Sequence, residues 1–152
     1  MPDHPALLAR LAGLLAPGGR LAVQVPANFD QPAHVAAAEL AAEEPWRSRL
    51  DGDVPVPAAL SPVEYARLLH RAGLGDAHVR LQVYGHLLAS REDVVEWVKG
   101  TLLNAYLPRL APALRGEFLE AYRQRLLPRL EDERPFHFPF QRILFAASRP
   151  GA

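Results

Sequence analysis

The stretch Ala16-Pro17-Gly18-Gly19 constrains this chain more than any other. It follows Leu7, Leu8, Leu11, Leu14 and Leu15, which recur at helical spacing behind Asp3, a residue suited to an N-cap. A proline followed by two glycines ends a helix: proline cannot continue the hydrogen-bond ladder, and glycine accepts the left-handed turn that comes next. Directly after it, Arg20-Leu21-Ala22-Val23-Gln24-Val25 reads as a buried strand that stops at Pro26. A helix, a tight turn and a short apolar strand make an αβ unit of the kind found in parallel sheets, so the expected fold class is α/β.

The same unit recurs further on. Residues 31 to 44 are rich in Ala and Glu and predict a helix, and residues 51 to 60, with two prolines, predict a loop. Ser61-Pro62-Val63-Glu64 is a capping box with proline at the first helical position; its helix runs to Arg71 and ends at Ala72-Gly73. His78 to His86 alternates Val79, Leu81 and Val83 with polar residues, a strand signature. Ser90 is expected to begin a helix with Glu92 and Asp93 in its first turn, Val94, Trp97 and Val98 on one core-packed face, and Gly100 at its end. A further helical stretch covers about Leu102 to Leu110. Pro112 opens a longer helix with Leu114, Phe118, Tyr122 and Leu126, whose Arg115, Arg123, Arg125 and Arg129 read as a solvated face. Residues 141 to 148 read as a last strand.

Composition narrows the functional classes. The 152 residues suit one domain, and 17 basic against 17 acidic residues leave no net charge, so neither nucleic acid nor a membrane surface is an expected partner. There is no Cys, which removes disulfides and thiolate chemistry, and the six His have no metal-ligand spacing. No apolar run is long enough to cross a bilayer, and the Met-Pro-Asp-His start does not lead into a signal peptide, so a cytoplasmic location is expected.

Four stretches resemble the trans-aconitate methyltransferase family. They are Pro2-Asp3-His4 with the Leu-rich helix and Gly18-Gly19; Leu21 to Pro26 with Asn28, Pro32 and His34; Tyr84-Gly85-His86; and Val95-Glu96-Trp97-Val98-Lys99-Gly100-Thr101 followed by Tyr106-Leu107. The last is the most specific. The resemblance implies the C-terminal half of a class I S-adenosylmethionine-dependent methyltransferase, a doubly wound sheet whose last strand lies antiparallel between the two before it. In that frame strand five lies in 1–28, a helical insert in 29–60, a helix and strand six in 61–86, a helical lid in 87–135 and strand seven in 136–149. The glycine-rich loop and the acidic residue that would hold S-adenosyl-L-methionine belong to an earlier part of that fold. Gly18-Gly19 follows a helix, not a strand, and is a turn. Met1 falls just before Pro-Asp-His, which suggests a start assigned inside a longer reading frame. Asn104-Ala105 stands where the family usually has Arg-Pro.

The chemistry implied is transfer of a methyl group from a sulfonium to a carboxylate oxygen. The nucleophile is already an anion, so orientation and desolvation matter more than acid–base groups, and no catalytic residue is assigned. A small polycarboxylic acid needs cations and fixed donors. The candidates are Asn28 at a strand end, Tyr84 and His86 at the end of the next, and Lys99 (the only Lys), Thr101 and Tyr106 beyond it. His4 would border the cofactor only in an intact fold and is expected to have nothing to contact here. The strand at 20–25 should present an open edge, available to a separate N-terminal half or to a second copy. The alternative reading is a non-catalytic half-domain that dimerises or binds a small organic acid.

Overall fold

The computed structural model describes residues 3–50 and 59–151; most of the loop expected over 51–60 lies outside the described residues. In chain order the elements are α1 (His4–Gly13), β1 (Arg20–Pro26), α2 (Pro32–Ala42), α3 (Trp46–Arg49), α4 (Pro62–Arg71), β2 (Gly75–Leu88), α5 (Asp93–Lys99), α6 (Pro112–Leu126) and β3 (Phe136–Ser148). Short 3-10 turns lie at Leu102–Ala105, Leu107–Arg109 and Leu127–Arg129. The fold is α/β, as expected, and divides into two compact units. One comprises residues 3–27, 59–84 and 140–151, the other residues 28–50 and 85–139.

The strands form one sheet in the order β1-β3-β2, with the last strand of the chain in the middle. β3 runs antiparallel to β1, pairing Ser148 with Arg20 at one end and Arg142 with Pro26 at the other. In the first unit, α1 and α4 supply Leu8, Ala12, Tyr65 and Leu69, which pack with Ile143, Phe145 and Ala147 of β3. Local chemistry fixes both helices. Asp3 caps α1 by accepting the Ala6 N–H at 2.8 Å, and Ser61 and Glu64 of α4 cap each other's backbone. Gly18 and Gly73 sit at φ 75° and 73°, the left-handed region each turn requires.

The second unit is helical. α2 turns Ala33, Ala36, Ala37 and Ala41 inward, and these short side chains let α6 lie close. Phe118 and Tyr122 of α6 are fully buried, and the Tyr122 hydroxyl donates to the Ala33 carbonyl at 3.1 Å. Trp46 meets Phe118 edge-on at 5.1 Å between ring centroids.

Several expectations need correction. β1 is half-buried, not buried: Leu21, Val23 and Val25 face the core, while Ala22 and Gln24 are exposed. Among the described residues of this unit, α1 and α4 cover only the face that carries Leu21 and Val23. β2 begins earlier and ends later than 78–86. β3 starts at Phe136, five residues ahead of the expected 141; Pro139 disguised it. That proline is tolerated because β1 pairs with β3 only as far back as Arg142, so the N–H that proline lacks is not needed by β1 there. α5 starts at Asp93, three residues after Ser90, because the Asp93 carboxylate reaches back to the Ser90 N–H at 3.0 Å and closes a turn ahead of the helix. The stretch expected to be helical at 102–110 is two 3-10 turns. Trp97 is not on the core face. At about 100° per residue, Val94, Val95 and Val98 make the buried stripe and Trp97 falls on its flank, 37 % exposed. The arginines of α6 and of the turn after it are not simply solvated: Arg125 of α6 pairs with Glu43 just past α2, Arg129 of the 3-10 turn pairs with Glu39 of α2, and Arg115 donates to the Leu110 carbonyl at 3.2 Å.

Candidate functional site

The second unit holds most of the candidate residues. Glu96-Trp97-Val98-Lys99 forms the last turn of α5, which closes at Gly100. The Trp97 indole lies against the His86 imidazole, 4.7 Å between centroids, and meets Phe138 edge-on at 5.9 Å. His86 comes from β2 and Phe138 from β3, so the far end of the strand pair and the end of α5 build one partly open aromatic cluster. Position 85 is close to another ring beside it: a Cβ there would lie 2.6 Å from Nε2 of His137, and that imidazole would have to shift. Lys99 is exposed and donates to both carboxylate oxygens of Glu96, at 3.2 and 3.1 Å. An exposed pair of this kind contributes about 0–1 kcal/mol, so an incoming carboxylate can replace Glu96 at little cost.

The other candidates are placed differently. The Thr101 hydroxyl lies 3.5 Å from the carbonyls of Trp97 and Val98 and closes the helix end. Tyr106 is a core residue, 3 % exposed and stacked on Phe118, and burial pushes its hydroxyl pKa up. Asn28 is buried at the start of the unit, where its carbonyl accepts the Gln31 N–H at 3.0 Å and shapes the entry to α2. In the first unit, Tyr84 is 39 % exposed on β2. His4 does have a contact, contrary to expectation: its Nδ1 is within hydrogen-bond distance of the buried Tyr65 hydroxyl.

Sequence reasoning passed over three groups. His34 stands edge-on to Phe29 at 5.6 Å, with a buried Nδ1 that has no hydrogen-bond partner, and burial lowers its pKa. Arg91 reaches from the turn before α5 to the carbonyls of Leu127 and Leu130. Tyr65 reads in sequence only as one apolar position of α4. Of these, His34 alone carried a signal, its place in the Asn28-Pro32-His34 stretch.

Among the described residues, the Gly18-Gly19 turn does not fit a grip on a nucleotide cofactor. The amides of Gly18 and Gly19 are already spent on the carbonyls of Arg149 and Ala16, at 3.0 and 2.8 Å, so this turn offers no cradle of free donors. Among the described residues no group of three or more His, Cys, Asp or Glu is placed to hold a metal ion. No helix among them is long and apolar enough to cross a membrane.

No family model matches the chain. A trans-aconitate 2-methyltransferase of Deinococcus radiodurans is 42 % identical over 154 aligned residues, covering 99 % of this chain and 59 % of that protein. The chain is related to the C-terminal half of the trans-aconitate 2-methyltransferases. A second such methyltransferase, from Streptomyces coelicolor, is 40 % identical over 99 % of this chain and 50 % of its own length. The chain thus spans between half and three-fifths of these methyltransferases. Among solved structures, Haemonchus contortus phosphoethanolamine N-methyltransferase 2, in complex with phosphomonomethylethanolamine and S-adenosylhomocysteine, aligns with 99 % of this chain and 30 % of its own, at 13 % identity and a TM-score of 0.42.

Proposed function

We propose that this chain is the substrate-binding portion of an S-adenosylmethionine-dependent O-methyltransferase acting on a carboxylate of a small polycarboxylic acid such as trans-aconitate. The observation that carries the reading is the 42 % identity to a trans-aconitate 2-methyltransferase across nearly the whole chain. The cluster at the end of α5 supports it. Lys99 supplies a cation that can exchange Glu96 for a substrate carboxylate, and His86 and Trp97 offer a ring surface beside it. Asn28, Tyr84 and Thr101 are further candidate contacts. Tyr106 contributes through packing, since its hydroxyl lies in the core.

The chain is inactive alone in this reading, because a cofactor cradle is not among its described residues. The open edge of β1 and the uncovered sheet face, a hollow of about 580 Å³ lined in part by Ala22, Gln24, Leu144 and Ala146, receive the polypeptide that supplies it. An unpaired strand edge suits pairing with a further strand.

Titration of trans-aconitate into the chain joined by the front portion of the Deinococcus relative tests the reading. Saturable binding that weakens about tenfold in Lys99→Ala, the loss of one charge-assisted hydrogen bond, is expected. Binding unaffected by both Lys99→Ala and His86→Ala would remove this site. A stable dimer of the chain alone that binds an organic acid would favour the non-catalytic alternative.

A further inference from the structure

Tyr65 lies in the core of the first unit, 1 % exposed, its ring stacked on Phe145 with centroids 4.8 Å apart. Its hydroxyl meets two groups. The Leu60 N–H donates to it at 3.3 Å, and His4 Nδ1 lies within hydrogen-bond distance, the two rings 5.8 Å apart. A phenolic hydroxyl carries one hydrogen and accepts through its lone pairs. A backbone N–H can only donate, so Leu60 takes up an acceptor position of Tyr65. The hydroxyl hydrogen then needs an acceptor of its own, and His4 Nδ1 offers it. Burial pushes the Tyr65 pKa up, so the hydroxyl keeps this hydrogen through neutral pH. Were Nδ1 protonated instead, the hydroxyl would face two donors and its own hydrogen would go unpaired in the core.

We propose that Tyr65 is a positioning residue that holds neutral His4 in the tautomer protonated on Nε2, so that His4 meets a ligand only as a hydrogen-bond donor. The ligand atom it selects is therefore an acceptor, the oxygen of a carboxylate, phosphate or hydroxyl group, and an ammonium or amide N–H is refused. The role toward a ligand rests on the expectation that His4 borders a bound group in the intact fold of the proposed methyltransferase. The tautomer itself needs no ligand, so its failure and the failure of the enzymatic reading are separately visible.

Nitrogen-15 NMR of the histidine rings in the full chain tests it, at a pH where the rings are neutral, with His4 assigned by the loss of its signals in His4→Gln. The native chain should show His4 Nδ1 as a fully unprotonated acceptor and Nε2 as fully protonated. In Tyr65→Phe both signals should move toward the averaged positions of an exposed histidine such as His70. A native His4 that is averaged between tautomers, or protonated on Nδ1, overturns the proposal. So does a folded Tyr65→Phe chain whose His4 signals do not move. Should that variant fail to fold, the native spectrum alone decides.

Discussion

Arg91 is the clearest case of one side chain organising its surroundings. Its guanidinium donates to the Leu127 and Leu130 carbonyls at 3.4 and 3.0 Å and to the Asp132 carboxylate at 3.2 Å. The Leu127 carbonyl already accepts the Leu130 N–H at 3.2 Å, so Arg91 adds a second donor there and supplies one to Leu130, and a cation near the end of α6 also suits the dipole. Arg91→Ala should therefore lower stability by about 1–3 kcal/mol, read as a shifted denaturant midpoint at unchanged slope. A shift below about 0.5 kcal/mol, the range of a plain surface change, would show that the clamp does nothing. Ser61→Ala should cost about 1 kcal/mol by the same measurement, because it removes one half of the reciprocal cap. Ser61 was legible in the sequence, since a cap is read from residues three apart. Arg91 was not: its partners lie 36 to 41 positions away, and no local pattern announces them. Trp97 was misjudged for a related reason. Helical spacing says which side chains share a stripe, but what lies opposite decides which edge of the stripe is covered.

At the scale of elements, α2 and α6 are held by two kinds of force. The alanine face of α2 lets Tyr122 and Phe118 bury themselves, and beyond it Glu39 and Glu43 pair with Arg129 and Arg125. The hydrogen bond from Arg129 holds the Glu39 carboxyl below its ordinary pKa, and the one from Arg125 does the same for Glu43. A carboxyl whose pKa is lower folded than unfolded stabilises above its unfolded value, and loses that contribution as pH falls through the folded one. Thermal stability should therefore decline as pH drops from about 5 towards 3, and the decline should be shallower in Glu39→Gln/Glu43→Gln. An unchanged acid slope in the double variant would mean that these pairs do not couple the helices. The sequence revealed that both helices exist and where α6 begins, since Pro112 marks its start. It did not reveal the pairing, because the arginines of α6 look the same whether they face water or α2. The strand ends were hidden for a different reason. Pro139 argues against a strand wherever a neighbour needs its N–H, and only the register shows that β1 does not reach it.

For the whole molecule, a sheet of three strands with β1 at its edge and, among the described residues of the first unit, one bare face is what most restricts function. The order β1-β3-β2, with the last strand central, was legible from the αβ units together with the family resemblance, because a resemblance supplies the order of strands that periodicity cannot. Gly18-Gly19 was legible as a turn from its place after a helix, and its two amides are taken by the carbonyls of Arg149 and Ala16. An edge strand left bare should be the weak point of the isolated chain, so hydrogen exchange in β1 should be fast alone and slow once a partner pairs with it. Equal protection in both states would leave the edge without a role.

The most direct test is methyl transfer from labelled S-adenosylmethionine to trans-aconitate, measured for the chain alone, for the front portion of the Deinococcus relative alone, and for the two mixed. The account predicts label in the acid only for the mixture. Transfer by the chain alone, or none by a mixture whose two parts are folded and associated, would contradict it.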